Sequence, residues 1–188
     1  DSWILGKDYS AAPTCATCHI AGYMTPNGVS VANSHDVGER ISWTLRPVVS
    51  TKINLVIYED GYKETYPDTR PLPKVGDKIE TLEKVVENEV LVSKKVERRV
   101  VKIITWQERR DKMKMVCLNC HSNTYADDFY KQYDKLVTLF NEKFATPAQE
   151  LMKELETDGA LKANAPFEHE LQWVFYELWH HEGRRARH

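Results

Sequence analysis

The sequence predicts a mainly α-helical chain interrupted by a β-rich insertion, and three observations predict it. Helix-start and helix-end signals gather from Trp106 onward, apolar residues alternate between about 52 and 104, and residues 1–51 are rich in glycine, proline and small polar residues. The expected segments are therefore 1–51, 52–104 and 105–188.

Taken in order, residues 1–51 read as loop with short helical turns. Ile53, Leu55 and Ile57 then alternate up to Asp60-Gly61, a strong hairpin signal, and Val90, Val92, Val100 and Ile103 suggest further strands. The charges at Lys94-Lys95 and Arg98-Arg99 read as a solvated face, with a docking surface for a redox partner as the second reading. Thr146-Pro147-Ala148-Gln149 has the form of a capping box with proline at the first helical position, which predicts a helix start there. Another helix is expected from about Pro166, with Glu168 and Glu170 in its first turn and Arg184, Arg185 and Arg187 in its last. Along it Phe167, Leu171, Val174 and Leu178 form an apolar stripe that continues onto His181, Arg185 and His188. His181 and His188 lie about 10 Å apart along such a helix, so they would face different partners.

The chain has 188 residues, 41% of them hydrophobic and 10% aromatic, enough for one ordinary domain. A formal net charge of −2 gives no electrostatic case for nucleic acid. No run of eighteen apolar residues occurs, so no membrane span is expected and the chain reads as soluble or peripheral. It opens at Asp1 with no basic or apolar leader, as expected of a mature form or a fragment.

All four cysteines fall in two copies of one pattern, Cys15-Ala16-Thr17-Cys18-His19 and Cys117-Leu118-Asn119-Cys120-His121. Two thiols three positions apart can add to the two vinyl groups of one porphyrin, and the adjacent histidine reaches the iron from the same side. The pattern therefore predicts two covalent haems c, held by Cys15 and Cys18 and by Cys117 and Cys120, with His19 and His121 as proximal ligands. A zinc site needs its two knuckles within some tens of residues, whereas these lie about half the chain apart. A thioredoxin-like motif needs a βαβ setting that neither copy has. Attachment of this kind takes place outside the cytoplasm, so a periplasmic or equivalent compartment is expected.

Relay haems often take a second axial imidazole. The candidates are His35, His180, His181 and His188, while His169, in an acidic first turn, reads as an ordinary surface residue. Met113 and Met115 lie too close to Cys117 to reach the opposite face of its haem, and Met24 and Met152 read as packing. Tyr125, Phe129, Tyr130, Tyr133, Trp173 and Trp179 are expected to pack against haem. The surplus of histidines suggests that some ligate haems held outside this chain.

Four segments resemble the octahaem hydroxylamine oxidoreductases, including the hydrazine dehydrogenases of anammox bacteria. They are 14–19, Ser34-His35-Asp36-Val37-Gly38-Glu39-Arg40-Ile41-Ser42-Trp43, 116–121, and Glu177-Leu178-Trp179-His180-His181-Glu182-Gly183-Arg184-Arg185-Ala186-Arg187-His188. That family carries eight such haem sites, seven of them bis-histidine and one open and cross-linked to a tyrosine of a neighbouring subunit in a trimer. The resemblance implies that this chain, with two sites, is a segment whose haems relay electrons. Its partners would be the remaining haem-bearing part of the enzyme or neighbouring subunits, a homotrimer, a redox partner cytochrome, and a small nitrogen substrate, hydroxylamine or hydrazine. No catalytic residue maps onto this chain, and the resemblance admits the anammoxosome as the compartment. The arginines of the last segment would neutralise haem propionates or complement the helix end. A dihaem electron carrier with no substrate of its own is the alternative.

Overall fold

The structure is a computed structural model that describes residues 14–44, 47–87, 90–162 and 165–187. It is 42% helical and 24% strand, so the expected mainly α class is corrected to a mixed α and β fold. The cause lies in the run Val90–Ile104, which holds neither glycine nor proline and forms one unbroken strand where several short ones were read.

After a one-turn helix α1 (Cys15–His19), two short strands β1 (Tyr23–Met24) and β2 (Ser30–Val31) pair antiparallel. The main sheet comprises β3 (Ile53–Tyr58), β4 (Lys63–Pro67), β5 (Lys78–Glu87) and β6 (Val90–Ile104), in the order β4-β3-β6-β5 with every pairing antiparallel. The Asp60-Gly61 turn forms as predicted: Gly61 takes φ 82, a left-handed value that glycine adopts freely, and Asp60 accepts from the Tyr62 amide at 3.0 Å. The buried face, however, is Asn54, Val56 and Tyr58, out of phase with Leu55 and Ile57, which are half-buried. Val56, Tyr58, Tyr66 and Val100 make the sheet's core, with Ile79 and Ile103 packed on it.

β3 reaches only residues 100–104 of β6, so 78–87 and 90–99 pair with each other alone. Beyond Ile79 the described residues of that ribbon add nothing to the sheet's core cluster, and Leu82, Val86 and Leu91 are exposed on it. Its base is fixed by Arg98, which is buried and not part of a solvated face. Arg98 donates to Asp60 at 2.6 Å, to Glu83 at 2.7 Å and to the Thr81 hydroxyl, and its guanidinium stands over the Tyr62 ring. Lys95 pairs with Glu80 at 2.7 Å.

β6 runs straight into α2 (Trp106–Cys117) through a capping box of Thr105 and Glu108, and Asn54 of β3 accepts from the Trp106 amide at 3.0 Å. Helix α3 (Asn123–Phe140) continues through a π-helical turn (Asn141–Ala145) into α4 (Thr146–Thr157). The helix start expected at Thr146 is thus absent: Ala145 is already helical and no side chain caps it. Pro147 has no N–H and its ring crowds the preceding turn, and the wider π turn before it accommodates both.

Helix α5 (Glu170–Tyr176) begins later than Pro166. His169 caps it, its Nδ1 accepting from the Leu171 amide at 3.1 Å while Gln172 returns the bond, and Phe167 lies outside it with φ 66. A second π turn (Glu177–Glu182) leads into α6 (Gly183–Ala186). The predicted apolar stripe is not buried: Phe167, Leu171 and Val174 are exposed ahead of this turn, and so are His181 and Arg185, whereas Gly183 and Arg187 are buried. A Cβ at Gly183 would collide with the Phe140 ring, so the two π-bearing helices touch where the side chain is smallest. Among the described residues no helix is long and apolar enough to cross a membrane.

Candidate haem-binding site

The first motif is a single helical turn that would be unstable alone. Thr14 and Thr17 cap it reciprocally, and the buried Arg40 donates to the carbonyls of Cys18 at 2.8 Å and Ala21 at 2.7 Å. Cys15 is exposed, while Cys18 and His19 are half-buried. The second motif straddles two helices. Cys117 closes α2, the His121 amide donates back to its carbonyl at 2.9 Å, and Ser122 caps α3. Cys120 and His121 face solvent, and the His121 ring stacks on Tyr125 at 4.1 Å.

These two motifs, nearly a hundred residues apart in the chain, open on the same space. Cys18, His19 and Cys117 line one cavity of about 400 Å³, within the usual range for a bound organic group. Ile41, Trp43, Met113, Phe129, Tyr130 and Tyr133 supply its apolar wall, with Ser42, Arg40 and Arg187 as its polar groups. Burial, with Cys18 close by, pushes the Cys117 thiol up, and burial likewise pushes up the Tyr130 and Tyr133 phenols, so these groups stay neutral. The His19 Nδ1 is buried without a hydrogen-bond partner.

The wall is held by Asp134 of α3. It accepts a bidentate pair from Arg110 (2.6 and 2.8 Å) and a bond from the Trp43 indole at 2.9 Å, and it pairs with Lys52 at 3.3 Å. Burial opposes its charge, but Arg110, Trp43 and Lys52 together hold its carboxyl below the usual range. Arg110 and Lys52 also stand over the Trp106 ring, so Trp43 and Lys52 are tied to both α2 and α3.

All four cysteines are free thiols, as thioether formation requires. Among the described residues no group of three or more His, Cys, Asp or Glu side chains could hold a metal ion. A porphyrin brings four of the iron's ligands itself, so a site for it asks the protein only for thiols, an axial imidazole and an apolar chamber. The residues present fit that group.

Of the predicted distal ligands, none of the described ones lines the cavity. His35 and His181 are exposed. His180 is half-buried, its Nδ1 without a partner, and it stacks on Tyr176 at 4.4 Å. Burial, with Arg184 and His181 nearby, keeps its pKa below the ordinary imidazole value and favours the neutral form that binds iron. His188 lies outside the described residues, and His169 is the helix cap already described. Phe129, Tyr130 and Tyr133, expected to pack against haem, line the cavity, whereas Trp173 is exposed.

Arg40, Trp43 and Asp134 were missed as a supporting shell. Arg40 and Trp43 sit in a segment singled out only for His35, and nothing in the sequence links Asp134 to them. Met113 had been weighed only against its own motif, and it lies beside His19 of the other.

Residues 76–166, from just before β5 to beyond α4, match the family model described as seven times multi-haem cytochrome CxxCH. No curated protein and no solved structure matches the chain. The matched stretch contains the second motif, and the first lies across the cavity from it. Motif, chamber and family match together support a multihaem c-type cytochrome with covalent haem c.

Proposed function

We propose that the two motifs hold two covalent haems that relay electrons within a larger hydroxylamine- or hydrazine-oxidising assembly, with the substrate-binding haem outside this chain. The observation that carries the relay is the shared cavity, in which Cys18 and His19 of one motif meet Cys117 of the other. Haems tethered at two motifs that meet in one cavity would lie close enough to exchange electrons without a mobile carrier. When bound, a haem supplies one-electron chemistry. The protein's own part is to tether it through Cys15 and Cys18 or Cys117 and Cys120, to present His19 or His121 to the iron, and to keep water out with the aromatic wall.

The distal imidazoles come from His35, His180, His181 or His188, or from another chain. A bis-histidine iron has no vacant position, which is why catalysis is assigned elsewhere. The assembly is a trimer by resemblance, works outside the cytoplasm and hands electrons to a partner cytochrome.

Mass spectrometry of the denatured holoprotein tests the count: it should retain two haems, and Cys15→Ser and Cys117→Ser should each disturb one. Recovery of haem-free polypeptide would overturn the assignment. Cyanide or hydroxylamine that shifts either haem's spectrum in the native protein would move the open iron into this chain. Absence of hydroxylamine and hydrazine oxidation by the complete native assembly would favour the dihaem carrier.

A further inference from the structure

Arg187 is wholly buried, and a guanidinium cannot shed its proton. Its Nε donates to the Gly183 carbonyl at 2.8 Å. Nη1 donates to the Ser50 hydroxyl and to the Pro47 carbonyl at 3.4 Å, and Nη2 donates to the Trp179 carbonyl at 3.2 Å. Its flat face lies over the Phe140 ring, 4.7 Å from the centroid. Four of its five N–H groups are thus committed to neutral dipoles, and one on Nη2 is left. Carbonyls and an aromatic face orient a cation but do not cancel its charge, and a buried cation without an anion is costly.

Among the described residues no carboxylate lies within ion-pair distance of Arg187. The same holds for Arg40, also buried, whose bonds go to the Cys18 and Ala21 carbonyls. Arg184 and Arg185, by contrast, are exposed, and Arg185 pairs with Glu182 at 3.7 Å. Both buried arginines line the cavity that Cys18 and Cys117 share. A chamber walled by neutral aromatics and thiols therefore carries two positive charges on its surface, and its ligand should bring negative ones.

We propose that Arg187 binds a carboxylate of a haem propionate through its remaining Nη2–H and its charge, with Arg40 as the second cation of the same chamber. This rests on the haem-binding reading above. A haem tethered at Cys18 or Cys117 would enter this chamber, and its propionates are the anions it would bring. Arg187 sets the reduction potential as well as the position. Its positive charge disfavours ferric iron, so it raises the potential of the haem whose propionate it holds.

The test is spectroelectrochemical titration of the purified full-chain holoprotein, as wild type, Arg187→Met and Arg187→Lys, with haem content read by mass in each. Arg187→Met should make reduction of one haem about tenfold less favourable, a fall of about 59 mV for one electron, with both haems still attached. Arg187→Lys should recover at least half of that shift although it loses the bonds to Trp179, Gly183 and Pro47. Unchanged potentials in Arg187→Met, or an equal fall in both variants, would overturn the inference and leave Arg187 a structural clasp. Should Arg187→Met not fold, redox-difference infrared spectra of wild type carrying ¹³C-labelled propionates decide it: ionised carboxylate bands support the pairing and acid bands refute it. Wild type that carries no haem would remove the underlying reading instead.

Discussion

The sheet and the helices of this protein are stabilised in different ways. In the sheet, Val56, Tyr58, Tyr66 and Val100 fill the interior, the Tyr58 hydroxyl donates to Glu64 at 2.8 Å, and Arg98 is paired on two sides. The helical part is the reverse. Every buried polar atom without a partner among the described residues lies in the haem-motif and helical segments, on His19, Arg109, Arg110 and His180. Tyr125, Phe129, Leu139, Phe144, Leu151, Trp173 and Val174 all expose large apolar surfaces there. One region has a protein core in the ordinary sense, and the other surrounds the cavity that the two motifs share.

The largest break in that comparison should come from removing a tether. With Cys117→Ser and Cys120→Ser combined, denatured protein should lose one haem by mass. In hydrogen exchange, amides of α2 and α3 should lose protection while those of β3 and β6 keep theirs; uniform loss across both regions would show that the sheet is not independent. The opposite perturbation is Val56→Ala, which should cost about 2.5 kcal/mol in urea unfolding while the haem spectra stay unchanged.

Asp134→Asn sharpens the boundary, because Asp134 of α3 ties Trp43 and Lys52 to Arg110 of α2. It should cost about 2 kcal/mol at neutral pH. The sign of its pH dependence follows from the depressed folded-state pKa. The stabilisation is present above the unfolded-chain value and is lost as pH falls through the folded one, so wild type and variant should converge in acid. A gap that persists at low pH would mean that shape, not charge, holds the cavity wall. Smallest is Thr105→Ala at the junction of sheet and helix, expected to cost about 1 kcal/mol in the same assay.

What could be read from the sequence was whatever chemistry fixes locally. Thioether attachment demands its pentapeptide, and a left-handed turn residue favours Gly61, so motifs and hairpin were both legible. Helical phase was not, because nothing in the residues of 141–145 or 177–182 announces a π turn, and after one the wheel is rotated. The face expected to be buried is exposed already at Leu171 and Val174, and beyond the turn Gly183 and Arg187, not His181 and Arg185, are the buried residues. The fold class was misjudged because β6 mixes short apolar and charged runs over fifteen positions and its outer half pairs with β5 alone. The cavity itself joins residues from both ends of the chain, and no local pattern encodes that meeting.

The two π turns also touch each other, and between them run the bonds from Asn141 to Ser50 and from Ser50 to Arg187. A π turn holds one residue more than the α turn it replaces. Loss of a single codon from either segment would leave hydropathy and composition almost untouched, yet it would rotate everything beyond by about 100°. In this protein the register of two helices is thus a shared coordinate: a one-residue deletion in 141–145 should be repaired better by a compensating deletion in 177–182 than by any substitution, a signature to be sought in length variation among homologues.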